Sequence, residues 1–162
     1  MGGFTTASGS YSTALGQSTT AQAYGSLVLG RYNVIAGDPA FWVATDPVLV
    51  VGNGSSSTPS NALTLLKNGD LTIAGTLRQF SDRRLKTDIH PLTDALDALA
   101  RLQPVRYRFR EGANRPEGVH IGLIAQEVEA VFPELVSEGA DGYLSVSYAN
   151  LSAVLVQALN EQ

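Results

Sequence analysis

Ser81 and Lys86, which lie five positions apart, are the residues of this sequence best suited to nucleophilic chemistry. A serine hydroxyl is a weak nucleophile until a base accepts its proton. A lysine amine can be that base only when it is neutral, and free lysine has a pKa of about 10.4. Burial or neighbouring positive charge favours the neutral amine. Arg83 and Arg84 could supply such charge, so the segment has the groups needed for acyl transfer.

The spacing of Ser81 and Lys86 requires a particular backbone path. Neighbours on a helix face lie three or four residues apart, so a turn must separate the two residues, or they must pair between subunits. Asp82 and Asp88 would oppose the effect of the arginines if they lay close. The structural alternative makes Ser81 the N-cap of a helix with Asp82 as helper, and Lys86 a solvated charge. For Asp88 a cap or turn role is the better interpretation.

The other reactive residue types favour structural interpretations. The chain has no cysteine, which excludes disulfides, thiol catalysis and cysteine-ligated metals. It has two histidines, His90 and His120, too few for a histidine-rich site, so we expect neither metal nor cofactor. His120 lies between Val119 and Ile121 in an apolar segment, which indicates a structural histidine rather than a third catalytic residue.

Two further groups of side chains resemble binding surfaces. Arg106, Arg108 and Arg110 form a stripe that could bind a polyanion, although such stripes are commonly solvated or paired with acidic residues. Trp42 and the tyrosines could form a sugar-binding platform, although scattered aromatic residues in trimer cores are commoner. We therefore keep a host-surface glycan or receptor only as a possible partner of a larger parent protein.

The composition limits the class of protein. The chain is 44% hydrophobic and 16% charged, below the roughly 25% charged residues of average soluble domains, so buried subunit contacts are expected. The net charge of -4 argues against a nucleic-acid partner, because such proteins are usually basic. No apolar run reaches the roughly 20 residues of a membrane span, so no membrane partner is expected.

The sequence changes character near residues 79–81, and we predict two domains, 1–80 and 81–162. The first is rich in Gly, Ser, Thr and Ala and contains a seven-residue repeat between Thr5 and Gly30, with Ser or Thr first, a small apolar residue third and usually Gly fifth. A core so narrow buries little surface in one chain. The repeat resembles the interlaced β-roll heads of trimeric autotransporter adhesins and implies an all-β, β-roll or β-prism-like trimeric stalk. The alternative is a disordered linker.

Apolar runs predict the remaining elements. In the first domain we expect strands at residues 41–43 and 48–51, a flexible loop at 52–57, and a hairpin around the Asn-Gly turn of residues 67–70. The second domain is predicted to be α+β. It should contain a helix at 94–103, strands at 105–110 and 119–125, a short helix at 126–132, a hairpin at 135–147, and a last long helix from about Asn150. This helix has no C-cap signal, and we expect it to be truncated at Gln162.

Two segments of the second domain, residues 81–89 and 122–136, resemble the intramolecular chaperone family of phage tail spikes and endosialidases, which also occurs in a membrane-tethered animal transcription factor. The run Val146–Leu151 resembles that family's approach to its last helix. The resemblance implies that Ser81 and Lys86 form a catalytic dyad that cuts the bond between Phe80 and Ser81 once. It also implies a homotrimer that guides folding of the upstream fibre and is then released.

Two functions follow from this resemblance. In the first, the chain is a single-turnover serine autopeptidase and folding template of a virion tail fibre, with the chaperone part released in the host cytoplasm. In the second, it is an uncut trimerisation cap of a tail fibre or of an adhesin on a bacterial surface. The mass of the chain distinguishes the two. A glycan-degrading enzyme lacks support, because paired carboxylates are not evident in the acid-poor first half.

Overall fold

The computed structural model describes residues 2–162, and these form two compact units. The first unit contains the described residues up to Phe80 together with Phe109–Glu117, and the second contains Ser81–Arg108 and Gly118–Gln162. The sheets of the described residues are open, and the longest helix lies close to the C-terminus, so the chain has the mixed, sheet-rich character that the sequence predicts. No helix among residues 2–162 is long and apolar enough to cross a membrane.

The repeats of the first unit form four short strands that begin seven residues apart. They are β1 (Thr6–Ala7), β2 (Thr13–Ala14), β3 (Thr20–Ala21) and β4 (Leu27–Arg31). Strand β1 pairs in parallel with β3, and β2 pairs in parallel with β4. Successive repeats therefore alternate between two sheets, and each repeat pairs with the one fourteen residues along the chain, as Thr6 does with Thr20.

Glycine at the fifth repeat position is required by two features of the backbone. Gly16 and Gly30 have φ values of +119° and +94°, a region that favours glycine. A Cβ atom on Gly16 would overlap the carbonyl oxygen of Gly30, and one on Gly30 would overlap that of Gly52. The glycines thus permit one layer of backbone to lie directly against the next, and Gly30 does so from within β4.

Three longer strands complete the first unit. Strand β5 (Pro47–Asn53) pairs in parallel with β4, β6 (Asn61–Leu66) pairs antiparallel with β5, and β7 (Leu71–Ile73) completes the hairpin predicted around residues 67–70. The predicted loop at 52–57 begins later than expected, because β5 continues to Asn53. A small core consists of Ala21, Val28 and Val50, with Ala14 against it. Each of its members is small, as a narrow stack requires.

The strand predicted at residues 41–43 is wrong. These residues belong to a loop in which the Asp38 carboxylate accepts hydrogen bonds from the backbone N–H groups of Ala40 and Phe41, at 2.8 and 2.9 Å. An aspartate that satisfies nearby amides stabilises a turn in place of a strand ladder. The aromatic run therefore remains exposed on a loop, with Phe41 72% and Trp42 55% accessible.

The second unit alternates short helices and two-stranded sheets. It contains α1 (Ala95–Leu99), β8 (Val105–Tyr107), β9 (His120–Gly122), α2 (Ala125–Glu129), β10 (Val136–Glu138), β11 (Leu144–Val146) and α3 (Tyr148–Asn160). Single 3-10 turns occupy Arg83–Leu85 and Pro133–Leu135. Strands β8 and β9 pair antiparallel, as do β10 and β11, so the hairpin predicted in 135–147 is confirmed.

Most predicted elements of the second unit are shorter in the structure. The helix predicted over 94–103 ends at Leu99, and the strand predicted over 105–110 ends at Tyr107, because its partner β9 is only three residues long. The last helix instead begins two residues earlier than predicted. The apolar residues of this helix are divided between buried and exposed positions. Val154 and Ala158 are buried in the core with Ala95 and Val128, whereas Leu155 and Leu159 are 49% and 67% exposed.

The N-terminus of α1 is capped from a distant part of the chain. Its own N-cap residue, Asp94, has φ +58° and makes no side-chain cap bond. Glu161 supplies the acceptors: its carboxylate receives the N–H groups of Leu96 at 2.7 Å and Ala95 at 3.2 Å. The Leu96 amide, and next the side chain of Gln157, lower the pKa of Glu161 from its ordinary value of 4.5. The ionised carboxylate is therefore the form that stabilises this helix start.

We expect Glu161→Gln to lower the melting temperature of the second unit at pH 7, because a lowered pKa in the folded state stabilises the fold above the unfolded value. The stabilisation is lost as the pH falls through the folded pKa, below 4.5, so the difference between variant and wild type should disappear there. Calorimetry at pH 7 and in the acid range, with the exposed Glu129→Gln as control, measures it. A difference that persists unchanged into acid would contradict the assignment.

Candidate functional site

A single 3-10 turn positions the residues that the sequence singles out. Asp82 is its N-cap, because its Oδ1 accepts the backbone N–H of Arg84 at 2.8 Å. The N–H of Leu85 reaches the carbonyl of Asp82, and that of Lys86 reaches the carbonyl of Arg83, each at 3.1 Å. The chain thus reverses between Ser81 and Lys86, which is the turn that their spacing requires. The interpretation of Ser81 as the N-cap is replaced, since its neighbour Asp82 has that role.

The turn brings the two candidate side chains into direct contact. Nζ of Lys86 donates a hydrogen bond to Oγ of Ser81 at 2.7 Å, within one chain. This is the reach that a general base needs toward the hydroxyl whose proton it accepts. Both residues are exposed in the single chain, and Phe80, directly before Ser81, is 97% exposed. The structure thus places the Ser81 hydroxyl and the Lys86 amine in contact on an exposed segment directly after Phe80.

Asp82 and Arg84 form a second contact that holds the same turn. Nε of Arg84 donates to both carboxylate oxygens of Asp82, at 3.1 and 3.2 Å, and Nη2 donates to Oδ2 at 2.7 Å. The Arg84 side chain, and then its backbone N–H, lower the pKa of Asp82, while Asp82 raises the pKa of Arg84. The charge expected from Arg84 beside Lys86 is therefore balanced by Asp82. This pairing was not predicted from the sequence, although an Asp-x-Arg spacing beside a turn could have indicated it.

The remaining predicted residues lie in other parts of the structure. Asp88 has φ +50° and its Oδ2 accepts from the Thr87 hydroxyl, which fits the turn role predicted for it. His120 lies in β9 opposite Tyr107, with ring centroids 5.6 Å apart. Arg106, Arg108 and Arg110 are exposed, and only Arg106 belongs to a strand. No cluster of three or more potential metal ligands occurs among residues 2–162.

Two features of the structure had no clear signal in the sequence. The Tyr148 hydroxyl, at the start of α3, accepts the backbone N–H of Leu123 at 2.9 Å, and a Cβ atom on Gly122 would press against it. Lys67 is buried in the first unit, although lysine in a turn ordinarily points to solvent. Both features depend on residues that lie far apart in the sequence, so local patterns could not reveal them.

Comparison with known proteins identifies a family whose model matches part of the chain, and several proteins of similar sequence. A peptidase family described as the chaperone of endosialidase matches residues 81–137. The chain is 31% identical over 96% of its length to the long tail fiber protein Gp37 of Salmonella phage S16, of which it covers 21%. It is 33% identical over 50% of its length to Gp37 of Escherichia phage AR1, covering 8% of that protein. It is also 31% identical over 57% of its length to myelin regulatory factor homolog 1 of Caenorhabditis elegans, covering 11%. The chain thus spans about a fifth or less of these relatives.

Proposed function

Since residues 81–137 of this chain form a chaperone domain of the endosialidase type, related to those of tail fibre proteins, we propose that the chain trimerises, guides the folding of an upstream fibre, and then cuts itself between Phe80 and Ser81. The observation that carries the cutting step is the 2.7 Å hydrogen bond between Lys86 Nζ and Ser81 Oγ, beside an exposed Phe80. In this proposal the cut would separate residues 1–80, the stalk, from residues 81–162, the chaperone, and segment Phe109–Glu117 of the first compact unit would remain with the second fragment.

The position of Ser81 directly after the scissile bond determines the chemistry of the cut. Neutral Lys86 accepts the hydroxyl proton, and Oγ attacks the carbonyl carbon of Phe80 across its own Cβ, Cα and nitrogen. Lys86 then returns the proton to the Ser81 nitrogen, the C–N bond breaks, and Phe80 is left as an ester on Oγ. Water hydrolyses the ester to a Phe80 carboxylate and the free hydroxyl. The attack is intramolecular, which favours it over attack by a separate water molecule.

The proposed homotrimer is supported by apolar surface that one chain leaves exposed. Helix α3 contains no charged residue between Tyr148 and Asn160. While one face of α3 packs in its own core, Leu155, Val156 and Leu159 are 49%, 59% and 67% exposed. A helix that is apolar on more than one side is normally buried on more than one side. Copies of the same uncharged surface can meet around an axis without like-charge repulsion.

We infer that the parent protein is a virion tail fibre and that the chaperone part is released in the host cytoplasm after cleavage. Any host-surface glycan or receptor would be bound through the parent protein. The second candidate function is an uncut trimerisation cap of a fibre or bacterial adhesin. It is favoured by the exposure of Ser81 and Lys86 in the single chain, where no enclosing surface excludes water from the two side chains.

The proposal is tested by incubating the purified full chain at neutral pH, with and without hydroxylamine, and measuring intact masses. We expect fragments that end at Phe80 and begin at Ser81. With hydroxylamine, the ester should be trapped and the first fragment should carry a hydroxamate, heavier than the acid by the mass of NH. A chain that stays whole would contradict self-cleavage and leave the cap function. Cleavage at this bond that yields only the acid would contradict the ester step alone.

A further inference from the structure

Lys67 is a buried cation that the proposed cleavage does not use. It follows β6 in the first unit, and its side chain is fully shielded from solvent. Its Nζ lies 4.8 Å from the centre of the Trp42 ring and 5.9 Å from that of Tyr24. Among the described residues it has no hydrogen-bond acceptor, since the closest carboxylate oxygen, Asp46 Oδ2, is 3.9 Å away. The ring faces and the 3.9 Å ion pair offset part of the cost of burying this amine, but no hydrogen bond offsets the rest.

Backbone hydrogen bonds fix the amine and the carboxylate relative to each other. The N–H of Lys67 donates to the carbonyl of Asp46 at 3.0 Å, and the N–H of Asn68 donates to that of Ala44 at 2.9 Å. The turn that carries Lys67 is thereby attached to the loop that carries Asp46. The Asp46 side chain is fixed in turn, because the N–H of Asp38 donates to its Oδ2 at 2.7 Å. The amine is thus held against a carboxylate that it does not hydrogen-bond.

We propose that Lys67 and Asp46 become joined by an amide bond between Nζ and Cγ, a covalent crosslink within the first unit. The ion pair that they would otherwise form is shielded by two aromatic rings, where desolvation of both charges opposes it. Amide formation removes both charges at once. It also releases water from a site with little access to solvent, since the side chains of Lys67 and Asp46 are 0% and 14% exposed.

The crosslinking reaction balances without any further reactant. The neutral amine attacks Cγ of Asp46, and the negative charge of the tetrahedral intermediate develops on an oxygen that already accepts the N–H of Asp38. The C–O bond to the other oxygen breaks. Relative to the ammonium and carboxylate forms, the amide nitrogen keeps one proton and two protons leave with that oxygen as water. The fixed approach of the two groups supplies the proximity that an uncatalysed condensation lacks.

The crosslink would connect the start of β5 with the turn after β6, so that this antiparallel pair is closed covalently at one end. It would also fix the loop that exposes Phe41 and Trp42. A covalent closure restricts the unfolded chain in the way that a disulfide does, in a sequence that contains no cysteine. This inference does not depend on cleavage at Phe80, because both residues lie on the same side of that bond.

Mass spectrometry of the purified, denatured full chain decides the proposal. Without a crosslink, trypsin cuts after Arg31, Lys67 and Arg78 and yields peptides 32–67 and 68–78. With the crosslink, Lys67 is no longer a substrate, and a single peptide 32–78 should appear, lighter than its sequence mass by one water. If the chain has cut itself at Phe80, these peptides are still present in the first fragment, so the crosslink can be detected in the same way.

Two variants make the result specific. Lys67→Arg keeps the positive charge and the tryptic site but forms no such amide, so it should show the full mass and two peptides. Asp46→Asn can form the same amide by losing ammonia, so its crosslinked product should have the mass of the crosslinked wild type. Wild-type chain of full mass that trypsin cuts after Lys67 would overturn the proposal. So would a mass loss that leaves Lys67 cleavable, as a succinimide at Asn68 would produce.

Discussion

Replacing Lys86 with alanine is expected to leave the chain at full length under conditions in which wild type divides at Phe80. The amine is the group that contacts Ser81 Oγ, at 2.7 Å, and loss of a general base slows a reaction by about 10² to 10⁴-fold. Ser81→Ala should abolish cleavage, because no nucleophile remains. Lys86→Arg should also block it, since a guanidinium stays protonated and cannot accept the hydroxyl proton. Gel electrophoresis and intact mass over time measure the rates.

The controls for this prediction separate chemistry from folding. Ser81 and Lys86 are exposed and belong to no core, so both alanine variants should keep the wild-type circular dichroism and oligomeric state. Arg106→Ala removes another exposed positive charge and should cut at the wild-type rate. The first-order rate constant of wild-type cleavage should not depend on trimer concentration. If Lys86→Ala cuts as fast as wild type, another base must act.

A chain that stops at Phe80 is expected to be largely insoluble or to form mixed aggregates instead of a defined trimer. Its repeat strands β1 and β2 lie at sheet edges, and exposed edges can pair with other chains. The strands of three chains must also come into register, and the entropy of association is lost before the contacts that offset it can form. Segment Phe109–Glu117 belongs to the first unit, and Asn114 donates to the Lys67 carbonyl at 3.2 Å, so truncation removes part of that unit.

Sedimentation of the truncated chain and of full-length Ser81→Ala, which stays uncut, provides the matched comparison. The uncut chain is expected to sediment as one homotrimer. A soluble, heat-resistant trimer from the truncated chain would show that the downstream residues are dispensable for folding. A monomer from the full-length chain at micromolar concentration would contradict the trimer itself.

Local patterns predicted the parts of the fold that local chemistry determines. The Asn-Gly turn indicated the hairpin of β6 and β7, and the hairpin predicted at 135–147 is that of β10 and β11. The strand predicted at Phe41 failed because Asp38 satisfies the amides that a strand would have used. Glu161 caps α1 by accepting the N–H groups of Ala95 and Leu96, which lie 66 and 65 positions before it. No local sequence pattern predicts a contact over that distance.

The candidate site was predictable in composition but not in geometry. The types and spacing of Ser81 and Lys86 required a turn between them, yet the pairing of Asp82 with Arg84 that stabilises this turn was visible only in the structure. The burial of Lys67 was not predictable either, because the loop that covers it lies more than twenty residues earlier in the chain.

The alternation of repeats between two sheets restricts how the stalk can change in length during evolution. Each repeat pairs with the second one after it, as Ala7 does with Ala21. Odd-numbered repeats therefore belong to one sheet and even-numbered repeats to the other. Inserting one heptad would exchange the sheets of all repeats beyond it and misplace the glycines that contact Gly30 and Gly52. Insertion of two heptads keeps the parity. Fibres built on this stack should therefore lengthen in steps of two repeats.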